Sequence, residues 1–451
     1  MSLMKRILLT YLCLLAIGCK SEAQMTSRVV KDNLFIPWEI VYGPDNHIWF
    51  TQKNGYICRL DPVTSKTDTL YHETNTLVSG EGGMLGLALD PNFPTQPYVY
   101  VAYNYSSGGT KERVVRYSYS GGVLQNPQTL IENIAGAGIH NGCRLLFIDG
   151  KLYITTGDAN NQSLPQNVNS VNGKVLRINP DGTVPSDNPI AGNPVWSWGH
   201  RNAQGIVYAN NKLYATEHGP TNDDEVNIIE KGRNYGWPNV HGFCDASEQQ
   251  FCTDSNVVEP LKVWTPTIAV CGLDYYDHPM FPALQKSLLM TTLKDQKLYQ
   301  LKLNSTFDAI ASTTAVSGVS VGRIRDICLS PDGKIYISTS NSNASGSNRI
   351  DKIIELYDPN FVGIGYTPTS GGDITVYPNP TVNELIINIK NIPLNKIFDY
   401  KLSGLDGRKI SAGKLQQGNN NIDLKALPAA TYRLQVADGK TVLHSEKILK
   451  Q

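Results

Sequence analysis

His140 and Asp158 bracket the stretch HNGCRLLFIDGKLYITTGD, in which glycines flank both polar ends and an Asp149-Gly150 pair interrupts an apolar run. The pattern reads as loop, strand, two-residue hairpin, strand, loop, which returns both ends to one edge of a sheet. A histidine beside a carboxylate can take a proton from an alcohol or water at neutral pH, because the carboxylate fixes the imidazole tautomer and raises its basicity. The plainer alternative is that both residues satisfy loop backbone.

Four further clusters carry groups of chemical interest. Gly199-His200-Arg201-Asn202-Ala203-Gln204-Gly205 sets a cation and two amides just before an expected strand. Glu217-His218-Gly219-Pro220 runs into the acids Asp223, Asp224 and Glu225. Lys294 follows the apolar MTTL, and Arg323 and Arg325 precede the last strong strand pattern. The four cations Arg201, Lys294, Arg323 and Arg325 around one site would be costly without an anion, so a polycarboxylate or phosphate ligand is the simplest occupant. Taken singly, each is better read as a surface charge or a member of a local ion pair. Arg323 and Arg325 are expected to diverge to opposite faces of their strand, one of them structural. The carbonyls of Gly219 and Pro220 beside several acids suit a hard oxygen-ligated cation such as Ca²⁺, with an acid-rich solvated loop as the alternative. Gly318-Val319-Ser320-Val321-Gly322 fits the G-x-S-x-G string of serine hydrolases, but no helix pattern follows it.

The elements that must position these groups recur along the chain. A turn, an apolar strand, a tight Gly/Asn/Asp turn and a second strand appear from Gly43, Leu87, Cys143, Gly205, Ser287 and Ile327. Such repetition with little helical periodicity predicts an all-β six-bladed β-propeller over residues 25–360. The loops leaving the inner strands should then meet at one mouth of the central channel. Asp149-Gly150, Asp332-Gly333 and Asn210-Asn211 are expected to supply the positive φ of two-residue hairpins. After a linker at 361–372, residues 373–451 read as a small immunoglobulin-like β-sandwich.

The chain has 451 residues, 41% hydrophobic and 18% charged, with 40 Lys+Arg against 40 Asp+Glu, so charge gives no reason to expect a nucleic-acid or membrane partner. Residues 1–24 read as a signal peptide, with Lys5 and Arg6 ahead of an apolar run too short to span a bilayer. Cys19 within Ala16-Ile17-Gly18-Cys19 is an alternative lipidation site. No transmembrane segment is expected after removal of the signal. Of the six remaining cysteines, only Cys244 and Cys252 suggest a pair by proximity, and no spacing resembles a zinc site.

The strings GEGGMLGLALDPNF, HNGCRLLF, ITTGD, GKVLRINPDGTVPSDNP, GHRNAQG, EHGPTNDDEVNIIEKGRNYGWPNV and GRIRDICLSPDGKIY resemble the soluble PQQ-dependent glucose and aldose sugar dehydrogenases, over about Asn33 to Ile354. The resemblance implies oxidation of the sugar C1 hydroxyl, with His140 as general base, Asp158 orienting it and Arg201 polarising the quinone. It implies that Asn202, Gln204, His218, Thr267, Lys294, Arg323 and Arg325 contact PQQ. Gly219 and Pro220 would bind a catalytic Ca²⁺ through their carbonyls, with Glu225 and the Tyr235 carbonyl at a second, structural Ca²⁺. An aldose sugar, an external electron acceptor and a second copy of the chain are the partners it suggests. Departures fall on the sugar side: Ile139 stands where the glucose enzyme has an acid, Glu81 where it has Gln, and Trp264 lies one residue out of register with a substrate-side aromatic. His218 replaces a Gln. Cys143 and Cys271 replace small residues, and a bridge between them is conceivable. The end of the chain, with Val376-Tyr377-Pro378-Asn379-Pro380 and Tyr432-Arg433-Leu434 followed by Lys447-Ile448, resembles type IX secretion sorting domains, implying that machinery as a partner and a secreted or surface-attached product. A non-catalytic binding propeller and a metal-dependent sugar lactonase remain as other readings.

Overall fold

The computed structural model describes residues 24–361 except 94 and 344–347, and 374–450 except 390–396, 405–407, 417 and 439–440. The expected signal peptide, Cys19 and nearly all of the expected linker lie outside the described residues.

Six four-stranded antiparallel sheets form the blades, with inner strands Pro37–Tyr42, Met84–Leu89, Gly142–Ile148, Ala203–Ala209, Val270–Tyr276 and Ile324–Leu329. Successive inner strands pack side by side and the sixth returns to the first, closing the ring. Strand Thr26–Leu34 supplies the outer edge of blade 6, pairing Val29 with Ile354, so the two ends of the propeller share one sheet. That arrangement fastens the seam with backbone hydrogen bonds between the first and last strands of the propeller.

Each blade presents β-branched and aromatic residues on both faces, and the apolar core accordingly sits between blades. Trp49 and Ile57 of blade 1 pack with Leu87 and Val101 of blade 2, while Val226 of blade 4 packs with Leu288 and Met290 of blade 5. At about 1.5–3 kcal/mol for each fully buried large side chain, these interblade layers are the main force holding the ring. Arg144 crosses the channel beneath the mouth, 2.6 Å from Asp326 and 3.0 Å from Glu39, tying blades 3, 6 and 1.

The blade phrases were legible but two were entered late. The phrase from Gly43 begins at the turn after the inner strand PWEIVY, and the phrase from Ser287 at the second strand, after the inner strand VCGLDYY. Turn chemistry holds at Asp149-Gly150 (φ 47° and 71°) and Asn210-Asn211 (φ 52° and 60°). It fails at Asp332-Gly333, where only Gly333 has positive φ and the connection spans 330–334, closed by Ser330 N–H to Lys334 O at 3.0 Å. Gly318–Gly322 is loop leading into a strand, with no helix, so it is not a nucleophile elbow.

The C-terminal region forms a three-stranded sheet (Ile374–Tyr377, Glu384–Ile389, Gly418–Asp423) and a four-stranded sheet (Phe398–Gly404, Lys409–Leu415, Ala430–Asp438, Thr441–Lys450). Leu385, Ile387 and Ile389 of one face Leu402, Leu434 and Val436 of the other across a shared core, which makes it a β-sandwich. Among the described residues no helix is long and apolar enough to cross a membrane.

Candidate functional site

The mouth is built from the loops that enter the inner strands and those that leave the second strands, not from loops leaving the inner strands. Antiparallel pairing places the start of one beside the end of the other: Gly142 pairs with Thr156, and Ala203 with Glu217. His140 therefore stands two residues before one strand and Asp158 two after its neighbour.

His140 is 8% exposed with φ 58°, a strained conformation for a non-glycine residue. Its Nδ1–H donates to Asp158 Oδ1 at 2.8 Å, leaving Nε2 as the ring nitrogen available to a substrate. Asp158 is 1% exposed and fully engaged: Oδ1 also accepts the Asn160 amide at 2.7 Å, and Oδ2 accepts the Trp237 indole N–H at 2.9 Å. The His140 amide donates to Glu81 Oε2 at 3.1 Å, so the carboxylate of Glu81 lies at the same rim. Ile139 is 39% exposed there.

Gly157 shows why glycine is required in this loop. A Cβ at that position would stand 1.8 Å from the carbonyl oxygen of His140.

The cations gather where expected. Arg201 donates from Nη1 to the His218 carbonyl at 3.0 Å, and its guanidinium lies 5.2 Å from the Trp237 ring centre. Arg325 donates to Gln204 Oε1 at 3.1 Å, Arg323 to the Ser340 carbonyl at 3.1 Å, and Lys294 to Thr267 Oγ1 at 3.2 Å. Among the described residues none of the four pairs with a carboxylate, and the Nε atoms of Arg201 and Arg325 and Nδ2 of Asn202 are buried without a partner. Burial lowers the affinity of Arg201 and Arg323 for their protons, and for Arg323 the charge of Arg325 acts in the same direction. Arg323 and Arg325 do not diverge: residues two apart on a strand share a face, and the irregular register between Ile324 and Asp326 keeps both at the mouth. Asn202 Oδ1 accepts the amide of Gly142 at 3.1 Å and Gln204 Nε2 at 3.0 Å, joining blades 3 and 4. His218 Nε2–H donates to the Val270 carbonyl at 2.6 Å, and burial lowers its pKa.

Gly219, Pro220, Glu225 and Tyr235 line one small cavity of about 20 Å³ with Arg201, Glu217 and Trp237. The carbonyls of Gly219, Pro220 and Tyr235 accept no hydrogen bond among the described residues. Burial, with Glu217 close by, pushes the Glu225 carboxyl up to about 8. Donors of this kind suit a hard cation, although no cluster of three or more His, Cys, Asp or Glu side chains able to hold a metal occurs among the described residues.

Trp264 ends the outer strand of blade 4, opposite Asp224, with its ring against the core between blades 4 and 5. No described contact joins it to Glu81, Ile139 or His140. Cys143 and Cys271 are not bridged. Both are buried thiols, Cys143 donating to Glu112 at 3.3 Å and Cys271 standing 3.5 Å from Arg325 Nη1. Cys244 and Cys252 do form a disulfide, and Cys58 and Cys328 are free and buried.

Two residues at the site, Lys53 and Trp237, escaped the sequence, and a third, Glu217, stood in a noted cluster without an assigned role. Glu217 accepts His200 Nδ1–H at 2.9 Å and the amide of Asn202 at 3.2 Å, holding the loop that carries Arg201. Lys53 is 4% exposed, donates to the Gly80 carbonyl, and has its pKa lowered to about 8 by burial and by Arg325. Trp237 joins Asp158 to Arg201. Only the string NYGWPNV hinted at Trp237, and nothing in spacing marked Lys53.

The chain is similar to several known proteins. The quinoprotein glucose dehydrogenase B of Acinetobacter calcoaceticus is 28% identical, over 72% of this chain and 87% of the relative. The aldose sugar dehydrogenase YliI of Escherichia coli strain K12 is 29% identical, over 74% and 95%. A solved PQQ-bound aldose sugar dehydrogenase from Streptomyces coelicolor superposes with TM-score 0.63 at 31% identity, covering 74% of this chain and 98% of that one. Residues 375–451 match the secretion system C-terminal sorting domain. Residues 34–350 match the family model for glucose/sorbosone dehydrogenase, which takes in all six inner strands and every group at the mouth, and the chain belongs to that family.

Proposed function

We propose that this protein is an exported, PQQ- and Ca²⁺-dependent dehydrogenase that oxidises the C1 hydroxyl of aldose sugars to lactones and passes electrons to an external acceptor. The observation that carries the reading is a buried His140–Asp158 pair beside four cations that have no carboxylate partner among the described residues. Such cations fit a tricarboxylate, and the Nε–H groups of Arg201 and Arg325, buried without a partner among the described residues, are donors that an anion could satisfy. When bound, PQQ supplies the two-electron acceptor for the hydride leaving C1.

His140 takes the hydroxyl proton on Nε2, because Nδ1 is committed to Asp158, whose charge stabilises the imidazolium that forms. Arg201 would offer a fixed positive charge to the quinone edge of the bound cofactor. Lys294, Arg323 and Arg325 would hold its carboxylates, and Asn202, Gln204, His218 and Thr267 would add polar contacts. The free carbonyls of Gly219 and Pro220 would hold Ca²⁺, with Glu225 and the Tyr235 carbonyl at a second ion; bound there, Ca²⁺ acts as a Lewis acid. Glu81 and the exposed Ile139 face the sugar. The C-terminal sandwich would serve type IX export, leaving the enzyme secreted or on the surface.

The test is dye reduction by purified apo-protein with a panel of aldoses, with and without PQQ and Ca²⁺. Activity only when both are present is expected. Ca²⁺-dependent lactone hydrolysis without PQQ, or sugar binding without turnover, would overturn the reading.

A further inference from the structure

Trp237 is 6% exposed and lies in the loop after the third strand of blade 4. Its own amide donates to the Gly199 carbonyl at 3.0 Å, and its carbonyl accepts Gln166 Nε2 at 2.7 Å, so the backbone is fixed from two loops of the mouth. The indole N–H reaches Asp158 Oδ2 at 2.9 Å. The Arg201 guanidinium lies 5.2 Å from the ring centre, and the His241 ring stacks on it at 5.0 Å. A rigid aromatic plane with one polar edge thus touches both the carboxylate behind the proton acceptor and the cation proposed to polarise the quinone.

Tryptophan suits this place for two separable reasons. Its N–H is a donor with no acceptor capacity, so it can only point toward the carboxylate. Its π face attracts a guanidinium more strongly as the contact is drawn out of water, and the ring here is 6% exposed. Phenylalanine would keep the face and lose the donor, and leucine would lose both.

We propose that Trp237 is a positioning residue that holds Asp158 and Arg201 in register, so that proton removal by His140 and polarisation of the hydride acceptor occur in one fixed geometry. The proposal rests on the dehydrogenase reading for its consequence in turnover, but its structural content does not. The charged or titratable groups around the assembly are Asp158, Glu81, Arg201, Glu217, Asp224 and His241. Of these, Asp158 alone touches the His140 ring and is also touched by the indole N–H.

The experiment compares wild type, Trp237→Phe and Trp237→Leu. With PQQ and Ca²⁺ bound, Trp237→Phe is expected to lower kcat roughly ten- to a hundredfold, with KM within about threefold. Its acid limb should rise by about half a unit or more, because a carboxylate without the indole donor holds the His140 proton more firmly. Trp237→Leu should lower kcat further and enlarge the isotope effect with C1-deuterated sugar. In parallel, the ring nitrogens of His140 are titrated by NMR in the apo-protein, and its midpoint should rise in Trp237→Phe. In the wild type, the Trp237 indole proton should resonate well downfield and shift with the His140 midpoint, a readout that survives even if the variants misfold. An unchanged His140 titration in folded Trp237→Phe, or an indole proton indifferent to His140, overturns the proposal whatever the protein oxidises. Wild type without PQQ-dependent turnover overturns the function and leaves the titration to decide the clamp.

Discussion

The amide of Asp158 donates to the carbonyl of Arg201 at 2.9 Å. The loop leaving the second strand of blade 3 is therefore fastened to the loop entering blade 4 at the two residues whose side chains are proposed to act on the proton and on the quinone. A single backbone hydrogen bond sets their separation, and the Trp237 side chain repeats the tie at the other end of each residue. Preorganisation of this kind matters because small misplacements of reacting groups cost large factors in rate.

His140→Ala should abolish the base while leaving the cation set intact. We expect kcat to fall by about 10²–10⁴ and PQQ affinity to stay nearly unchanged. Titration of apo-protein with PQQ, beside steady-state dye reduction, checks it; a large loss of affinity would move His140 from chemistry to cofactor binding.

Arg325→Met removes a guanidinium whose Nε is buried without a partner and which makes no ion pair among the described residues. PQQ affinity should fall by roughly ten- to a hundredfold, the worth of one charge-assisted hydrogen bond or more. The apo-protein should not lose thermal stability, since nothing ionic is broken. A lower Tm without loss of affinity would make Arg325 structural.

Lys53 titrates near pH 8 in the folded chain, below its ordinary value. The unfolded chain binds the extra proton between about 8 and the ordinary lysine value, so the penalty on folding is fully present below pH 8 and stability rises with pH through that window. Lys53→Met should therefore raise the apo Tm most at neutral pH, with the advantage shrinking toward pH 10. If the ammonium also attracts PQQ, affinity should weaken as pH rises through 8 in wild type and not in the variant. Thermal scans and PQQ titrations across pH 6–10 decide both.

Gly157→Ala forces a methyl group into the carbonyl of His140. The backbone must yield, at a cost of about 1–3 kcal/mol or more, and His140 moves with it. Tm and kcat should fall together, whereas Gly150→Ala, where nothing lies within 4 Å, should spare kcat although φ 71° makes it strained. Normal turnover in Gly157→Ala would show that the loop tolerates displacement.

Local patterns in the sequence were enough to read most of the elements and to name the candidate groups at the mouth. Alternating apolar residues and Asp-Gly or Asn-Asn turns are local signals, so strands such as Gly142–Ile148 and Lys151–Thr156, and their hairpin, could be read directly. The type of each group at the mouth, from His140 to Arg325, was legible for the same reason. Tertiary structure alone decided what depends on distant pairing. Thr26–Leu34 closes blade 6 because its partner strand, Asp351–Tyr357, lies at the far end of the propeller, beyond any local pattern. Cys143 and Cys271 stay apart because they start inner strands of blades 3 and 5, with blade 4 between them. Lys53 and Trp237 enter the site through the closed ring, where a buried ammonium from blade 1 meets Arg325 of blade 6 and an indole from blade 4 meets Asp158 of blade 3. Ring closure converts sequence separation into contact, and no period in the sequence encodes which side chains it brings together.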